Sequence, residues 1–171
     1  VFKSEIFLES SSQDQLSFGR TNNEARNLGA FAAIKRDGSV VTWGHVSHGG
    51  DSNDVSELLR SGVVEIYSTN KAFAALKDDG SVVSWGEVNE YSPDLKNQLS
   101  SGVSKVFSTD YAFAAIKNDG SVVAWGNSSG YGDGDITGVA DELTSDVVNI
   151  LSNTSAFAAL KTDGSVITWG G

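Results

Sequence analysis

Apolar residues are not spread evenly along this chain; they gather in a fifteen-residue block that occurs four times. The block reads AFAAIKRDGSVVTWG at 30–44, AFAALKDDGSVVSWG at 72–86, AFAAIKNDGSVVAWG at 112–126 and AFAALKTDGSVITWG at 156–170. Within it, a short apolar run is followed by an Asp-Gly step and a Val-rich run that ends in Trp-Gly. Two apolar runs joined by Asp-Gly predict a β-hairpin, with a two-residue type I′ turn at Asp37-Gly38, Asp79-Gly80, Asp119-Gly120 and Asp163-Gly164. Four such hairpins exclude a helical solenoid. Phe31-Ala32-Ala33-Ile34 and Val40-Val41 place apolar side chains on both faces of the sheet, which implies sheets covered on both sides, as in stacked blades. The tryptophans Trp43, Trp85, Trp125 and Trp169 are spaced by 42, 40 and 44 residues, a period that suits propeller blades.

A further strand precedes three of the hairpins: VVEIYS at 63–68, VSKVFS at 103–108 and VVNILS at 147–152. Each blade is therefore expected to hold three or four antiparallel strands. The connectors between blades carry sparse apolar residues, Val55, Leu58 and Leu59, then Leu95 and Leu99, then Val139 and Leu143. Ser92-Pro93 followed by Gly102 predicts about one helical turn in the second connector. In the N-terminal segment, residues 1–29, Glu5 to Ser10 resembles a first blade strand but is cut off from its hairpin by a polar stretch. That segment is either a loop-like leader or a strand that pairs with the last blade and closes a ring. Residues 30–171 form one domain of four blades, and the fold class is all-β, a propeller or an open arc of blades.

Length and charge narrow the function. The chain has 171 residues, enough for one domain with a sizeable core. Its net charge of −10 has the wrong sign for neutralising phosphates, so nucleic acid and anionic lipid are unfavourable partners. With no cysteine, disulfide scaffolds, thiolate nucleophiles and Cys-ligated metals are excluded. No apolar run approaches the ~20 residues that span a bilayer as a helix. The first residue is Val1 and there is no Met, which suits a processed chain in an organelle lumen or outside the cell.

The blade A-F-A-A-[IL]-K-x-D-G-S-V-[VI]-x-W-G resembles the short repeat of the regulator of chromosome condensation superfamily, which also includes HERC-like repeats and a bacterial β-lactamase inhibitor. The resemblance covers about 63–170 and, less completely, 30–62. It implies a propeller fold and leaves function open, since members of this superfamily include exchange factors, ligase subunits, inhibitors and binding modules. Members usually close with about seven blades, whereas this chain carries four, which could close alone, pair with another copy or form an arc docked on a partner.

Few residues suggest chemistry. Gly126-Asn127-Ser128-Ser129-Gly130 matches a nucleophile-elbow pattern, but no histidine follows it and the sequence beyond is not helical, so no enzyme is expected. His45 and His48, near Asp51 and Asp54, read as polar loop residues rather than a metal site. Asp133, Asp135 and Thr137 resemble the start of a calcium loop that lacks its closing glutamate. No metal and no cofactor are expected. Phe31, Trp43, Phe73, Trp85, Phe113, Trp125, Phe157 and Trp169 read as blade core, with each Trp beside small Ala residues of its hairpin partner. Lys35, Lys77, Lys117 and Lys161 read as rim charges that oppose edge association.

The connectors 45–61, 87–101 and 127–146 carry eleven carboxylates and two basic residues. They therefore predict an acidic, variable face on one side of the ring, with His45, His48, Asp51, Glu87, Glu90, Tyr91, Tyr131, Asp133 and Asp135 as candidate partner contacts. The reading is a non-enzymatic protein-interaction module or structural subunit of a larger assembly, with a membrane-associated complex left open. It docks by that acidic face or by an exposed blade edge, and self-association is open. The alternative is a lectin-like propeller that binds carbohydrate or a divalent cation.

Overall fold

The computed structural model describes residues 27–88, 93–126 and 134–171. All four fifteen-residue blocks form hairpins: β1 (Ala30–Ile34) with β2 (Val40–Gly44), β4 (Ala72–Lys77) with β5 (Val82–Gly86), β7 (Ala112–Lys117) with β8 (Val122–Gly126), and β10 (Ala156–Lys161) with β11 (Val166–Gly170). The preceding strands β3 (Val63–Ser68), β6 (Val103–Ser108) and β9 (Val147–Ser152) pair antiparallel with β4, β7 and β10. Blades 2, 3 and 4 are thus three-stranded sheets with the Ala-rich strand in the centre, while blade 1 shows two strands among the described residues. The expectation for Glu5 to Ser10 lies outside the described residues.

Asp-Gly marks each hairpin, yet the turn differs from the one expected. Lys35 N–H donates to Ser39 O at 2.8 Å and Gly38 N–H to Lys35 O at 2.9 Å, so three residues form the loop. Gly38 is left-handed at φ +76, whereas no Asp of the four turns has a positive φ. This is a type I turn closed by a glycine bulge rather than a type I′ turn. The cause is local: Asp37 Oδ1 accepts from both Ser39 N–H (2.9 Å) and Ser39 Oγ–H (2.6 Å), which holds the aspartate at negative φ. Asp79, Asp119 and Asp163 make the same pair of bonds to Ser81, Ser121 and Ser165.

The blades stack, and alternation along the strands decides what each presents. Phe73, Ala75, Val83 and Trp85 of blade 2 pack on Ala30, Ile34 and the connector leucine Leu59 of blade 1. On its other face blade 2 offers Ala72, Ala74, Leu76 and Val82 to Phe113, Ala115, Val123 and Trp125 of blade 3. Blade 3 repeats this toward Phe157, Ala159 and Trp169 of blade 4, with Leu143 filling the seam. Each Trp stands across from a Phe rather than an Ala, as in Phe113↔Trp125, and the two rings stack with centroids 5.4 Å apart. Small Ala residues alternate with these rings, so one blade's aromatic face meets the preceding blade's flat aliphatic face.

The connectors lie along the seams. They contain short 3-10 turns at Val46–His48, Asn53–Val55 and Ala140–Leu143 and one helical turn, α1 (Pro93–Gln98), in agreement with the Pro93 signal. Each starts at one end of a blade and finishes at the other: His45 N–H donates to Gly29 O, while Val63 N–H donates to Gly38 O in the hairpin turn. The described part of the first connector therefore runs from one end of the seam to the other. The repeated lysines are not edge charges. They end the central strands, and Lys117 and Lys161 donate to the connector carbonyls of Gln98 (2.6 Å) and Glu142 (2.7 Å), capping the last turn of each connector. Among the described residues, no helix is long and apolar enough to cross a membrane.

Candidate interaction surface

Among the described residues, no further blade covers the outer face of blade 1 or of blade 4. Phe31 is 60% exposed and Trp43 is 40% exposed, although their counterparts Phe73, Trp85, Phe113, Trp125, Phe157 and Trp169 are all buried. This corrects the expectation that all eight aromatics form core. The aromatic face packs against the preceding blade, and blade 1 has none among the described residues, so its stack (5.4 Å, 15°) faces outward. At the far end Leu151 is 67% exposed and Val166 is 56% exposed, with Leu160 also open, whereas Tyr67, Leu76 and Val82 at the same places in blade 2 are buried.

Between blades, backbone hydrogen bonds form a ladder that the sequence reading missed. Leu28 N–H donates to Asn70 O (2.8 Å), Asn70 N–H to Asp110 O (2.8 Å) and Asp110 N–H to Thr154 O (3.0 Å). Each rung sits in a turn closed by the preceding side chain. Thr69 Oγ1 and Thr109 Oγ1 accept from Ala72 and Ala112 N–H, and Asn27 Oδ1 and Asn153 Oδ1 from Ala30 and Ala156 N–H. The signal was present in the sequence as Asn or Thr three residues before each block, at the same spacing as the tryptophans. Trp side chains also reach across the seams: Trp85 Nε1–H donates to Gly49 O (3.0 Å) and Trp125 Nε1–H to Ser84 Oγ (3.1 Å). Trp169 Nε1 is buried with no acceptor among the described residues, because Ala124 stands where blade 2 has Ser84.

Of the candidate connector residues, Asp51 lines a groove with Gly86 and Val88, which flank Glu87. His45 and His48 pack edge to face with Nδ1 atoms 3.2 Å apart and Ser47 Oγ beside both. Asp51 accepts from Asn53 N–H, and Glu87 forms an ion pair with Lys71 at 2.9 Å. The Asp135 carboxyl lies below the usual carboxylate range, through hydrogen bonds from the Thr137 hydroxyl and then its N–H. Glu90, Tyr91, Tyr131 and Asp133 lie outside the described residues, as does most of the 126–130 nucleophile-elbow match. Among the described residues, no group of three His, Asp or Glu side chains is placed to hold a metal. A cavity of about 210 Å³ lies between Leu28, Asn70, Lys71, Glu87, Asp110 and Tyr111, and two of its three charged side chains, Lys71 and Glu87, pair with each other.

No family model matches this sequence, and no curated protein does. The fold does match solved structures. Prp20p from Saccharomyces cerevisiae, a structure described with its binding properties to Gsp1p and histones, aligns at TM-score 0.58 and 20% identity over 86% of this chain and 43% of its own. Human WBSCR16 aligns at TM-score 0.57 and 18% identity, over 84% and 45%. The CRINKLY WD40 ectodomain of the Arabidopsis thaliana receptor kinase ACR4 aligns at TM-score 0.51 and 18% identity, over 85% and 49%. The chain spans less than half the length of each of these proteins. Four stacked β-blades with a common register and these neighbours establish that its fold is an RCC1-like arc of propeller blades.

Proposed function

We propose that this chain is a protein-interaction module that docks through the apolar faces at the two ends of its arc. The observation that carries this is the contrast between Phe31 and Trp43, exposed on blade 1, and the same pair buried in every other blade. Burying a Phe side chain contributes about 1.5–3 kcal/mol, so a surface with this composition is driven toward a partner. Structural neighbours that carry blades of this kind include Prp20p, whose structure is also known with Kap60 bound. The acidic connectors, with His45, His48, Asp51, Glu87 and Asp135, flank the seams and set the charge under which partners approach; rim charges of this sort tune association rate and salt dependence more than affinity. Glu90, Tyr91, Tyr131 and Asp133 are proposed as further rim contacts. The reading assigns no catalytic residue and no cofactor.

The test compares two sets of variants in photo-crosslinking capture of the chain's partner. Phe31→Ser and Leu151→Ser on the end faces are expected to lower capture at least about tenfold. Glu87→Gln and Asp51→Asn on the connectors are expected to leave the yield nearly unchanged while altering its salt dependence. The opposite ranking would move the docking surface to the connectors. Saturable heat on titration with sugars or calcium, with no effect of the end-face variants, would favour the lectin-like reading instead.

A further inference from the structure

The two end faces are not merely apolar; they are the two halves of one interface that the molecule already makes three times. We propose that the occupant of each is a second copy of this chain, with the last blade of one copy seating the first blade of the next head to tail. This deepens the end-face reading above and rests on it. On blade 1, the exposed Phe31 and Trp43, with the half-buried Val41 and the buried Ala33, correspond to the set that blades 2, 3 and 4 press against the blade before them. On blade 4, Leu151, Leu160 and Val166 occupy the places that receive that set in blade 2.

Polar groups at the two ends are matched as well. Among the described residues the backbone ladder leaves Thr154 N–H without an acceptor at one end and Leu28 C=O without a donor at the other, and each internal rung is such an N–H donating to such a C=O. Across an internal seam, Trp125 Nε1–H reaches the hydroxyl of Ser84, one residue before the preceding blade's Trp. The corresponding acceptor on the last blade is Thr168, which is exposed, and the waiting donor is Trp43, which has no acceptor among the described residues. Gly164, in the last hairpin turn, has open space where Gly38 and Gly120 touch the next blade's backbone. A partner of unrelated shape would need to reproduce both halves separately, whereas a second copy supplies both.

The contact joins different surfaces of the two copies, so it forms a closed ring if the rotation closes and an open oligomer if it does not. Each copy carries a net charge of −10, so the copies repel at long range and added salt strengthens their association, the reverse of what a basic partner would show.

Sedimentation velocity on the full chain, over about a hundredfold range of concentration, reads the outcome. Dimers or larger oligomers whose population rises with concentration and with salt are expected. Phe31→Glu blocks one face and Leu151→Glu the other; each variant alone is expected to stay monomeric, and an equal mixture is expected to form a one-to-one complex through the remaining good pair of faces. Circular dichroism confirms folding, and the milder pair Phe31→Ser and Val166→Thr serves if either charge unfolds the blade. A mixture that forms no complex overturns the proposal. So does a wild-type chain that stays monomeric throughout. In that case iodide quenching separates the causes, with Trp43→Phe as the reference. If Trp43 is open to iodide, the second copy is wrong but docking at the end faces stands; if it is shielded, the end faces are covered within the chain and both readings fail.

Discussion

Gly120 and Gly164 hold the same place in successive blades, both left-handed at φ +79 and +87. A methyl group on Gly120 would lie 2.7 Å from the backbone nitrogen of Asp146 in the next blade, while one on Gly164 would meet nothing within 4 Å. Phe113 and Phe31 show the same divergence: the two share a register and a stacked Trp, yet one is enclosed and the other is open. Near-identical sequences at the middle and the ends of the arc thus carry different energetic weight, because half of each blade's core is supplied by its neighbour. The comparison predicts that stability lies in the seams and that the ends are held in readiness for a contact.

The largest effect expected is at the enclosed phenylalanine. Phe113→Ala should cost about 3–5 kcal/mol in chemical denaturation, and Phe31→Ala well under half of that, since most of its surface is already in water. Equal losses would mean that blade 1 is covered in solution. The glycines come next. Gly164→Ala should cost about 1–2 kcal/mol, the strain of a left-handed alanine, whereas Gly120→Ala adds a backbone clash and should cost distinctly more in the same assay. A third comparison uses the seam polar groups: Ala124→Ser places a hydroxyl where Ser84 serves Trp125, so it should satisfy Trp169 Nε1 and raise stability by about 0.5–1.5 kcal/mol, read as a higher denaturation midpoint. No change would mean that the indole N–H is already hydrated.

The smallest effect is shared by middle and ends alike. The hydrogen bonds from Ser39, Ser81, Ser121 and Ser165, first the hydroxyl and then the N–H, hold Asp37, Asp79, Asp119 and Asp163 below the ordinary carboxylate value of 3.8. A carboxyl depressed in the folded state stabilises above its unfolded pKa, and that contribution is lost as pH falls through the folded value. Thermal unfolding midpoints should therefore decline below about pH 4. Replacing Ser39, Ser81, Ser121 and Ser165 together by Ala should flatten the decline; an unchanged slope would place acid sensitivity elsewhere.

Much of this was legible in the residues. Asp-Gly between apolar runs marks a hairpin whichever turn closes it, so the hairpins could be read directly. The turn type could not, because Asp-Gly suits both a two-residue and a three-residue loop and only the bonds of Asp37 to Ser39 separate them. The repeated lysines could be placed at strand ends but not assigned a role, since their acceptors, Gln98 and Glu142, lie 19 residues away in connectors of unequal length. The end faces were anticipated as an exposed blade edge. Of the proposed connector contacts, Glu90, Tyr91, Tyr131 and Asp133 lie beyond the described residues.

By itself, then, the sequence determined the blade: its period, its hairpins, and two apolar faces set by alternation along each strand. Only the tertiary structure decided which of those faces are covered. Phe31 and Phe113 sit in almost the same words of sequence, and burial is a property of what lies within a few ångströms in space, which for a stacked blade belongs to a neighbour about forty residues distant or to another molecule.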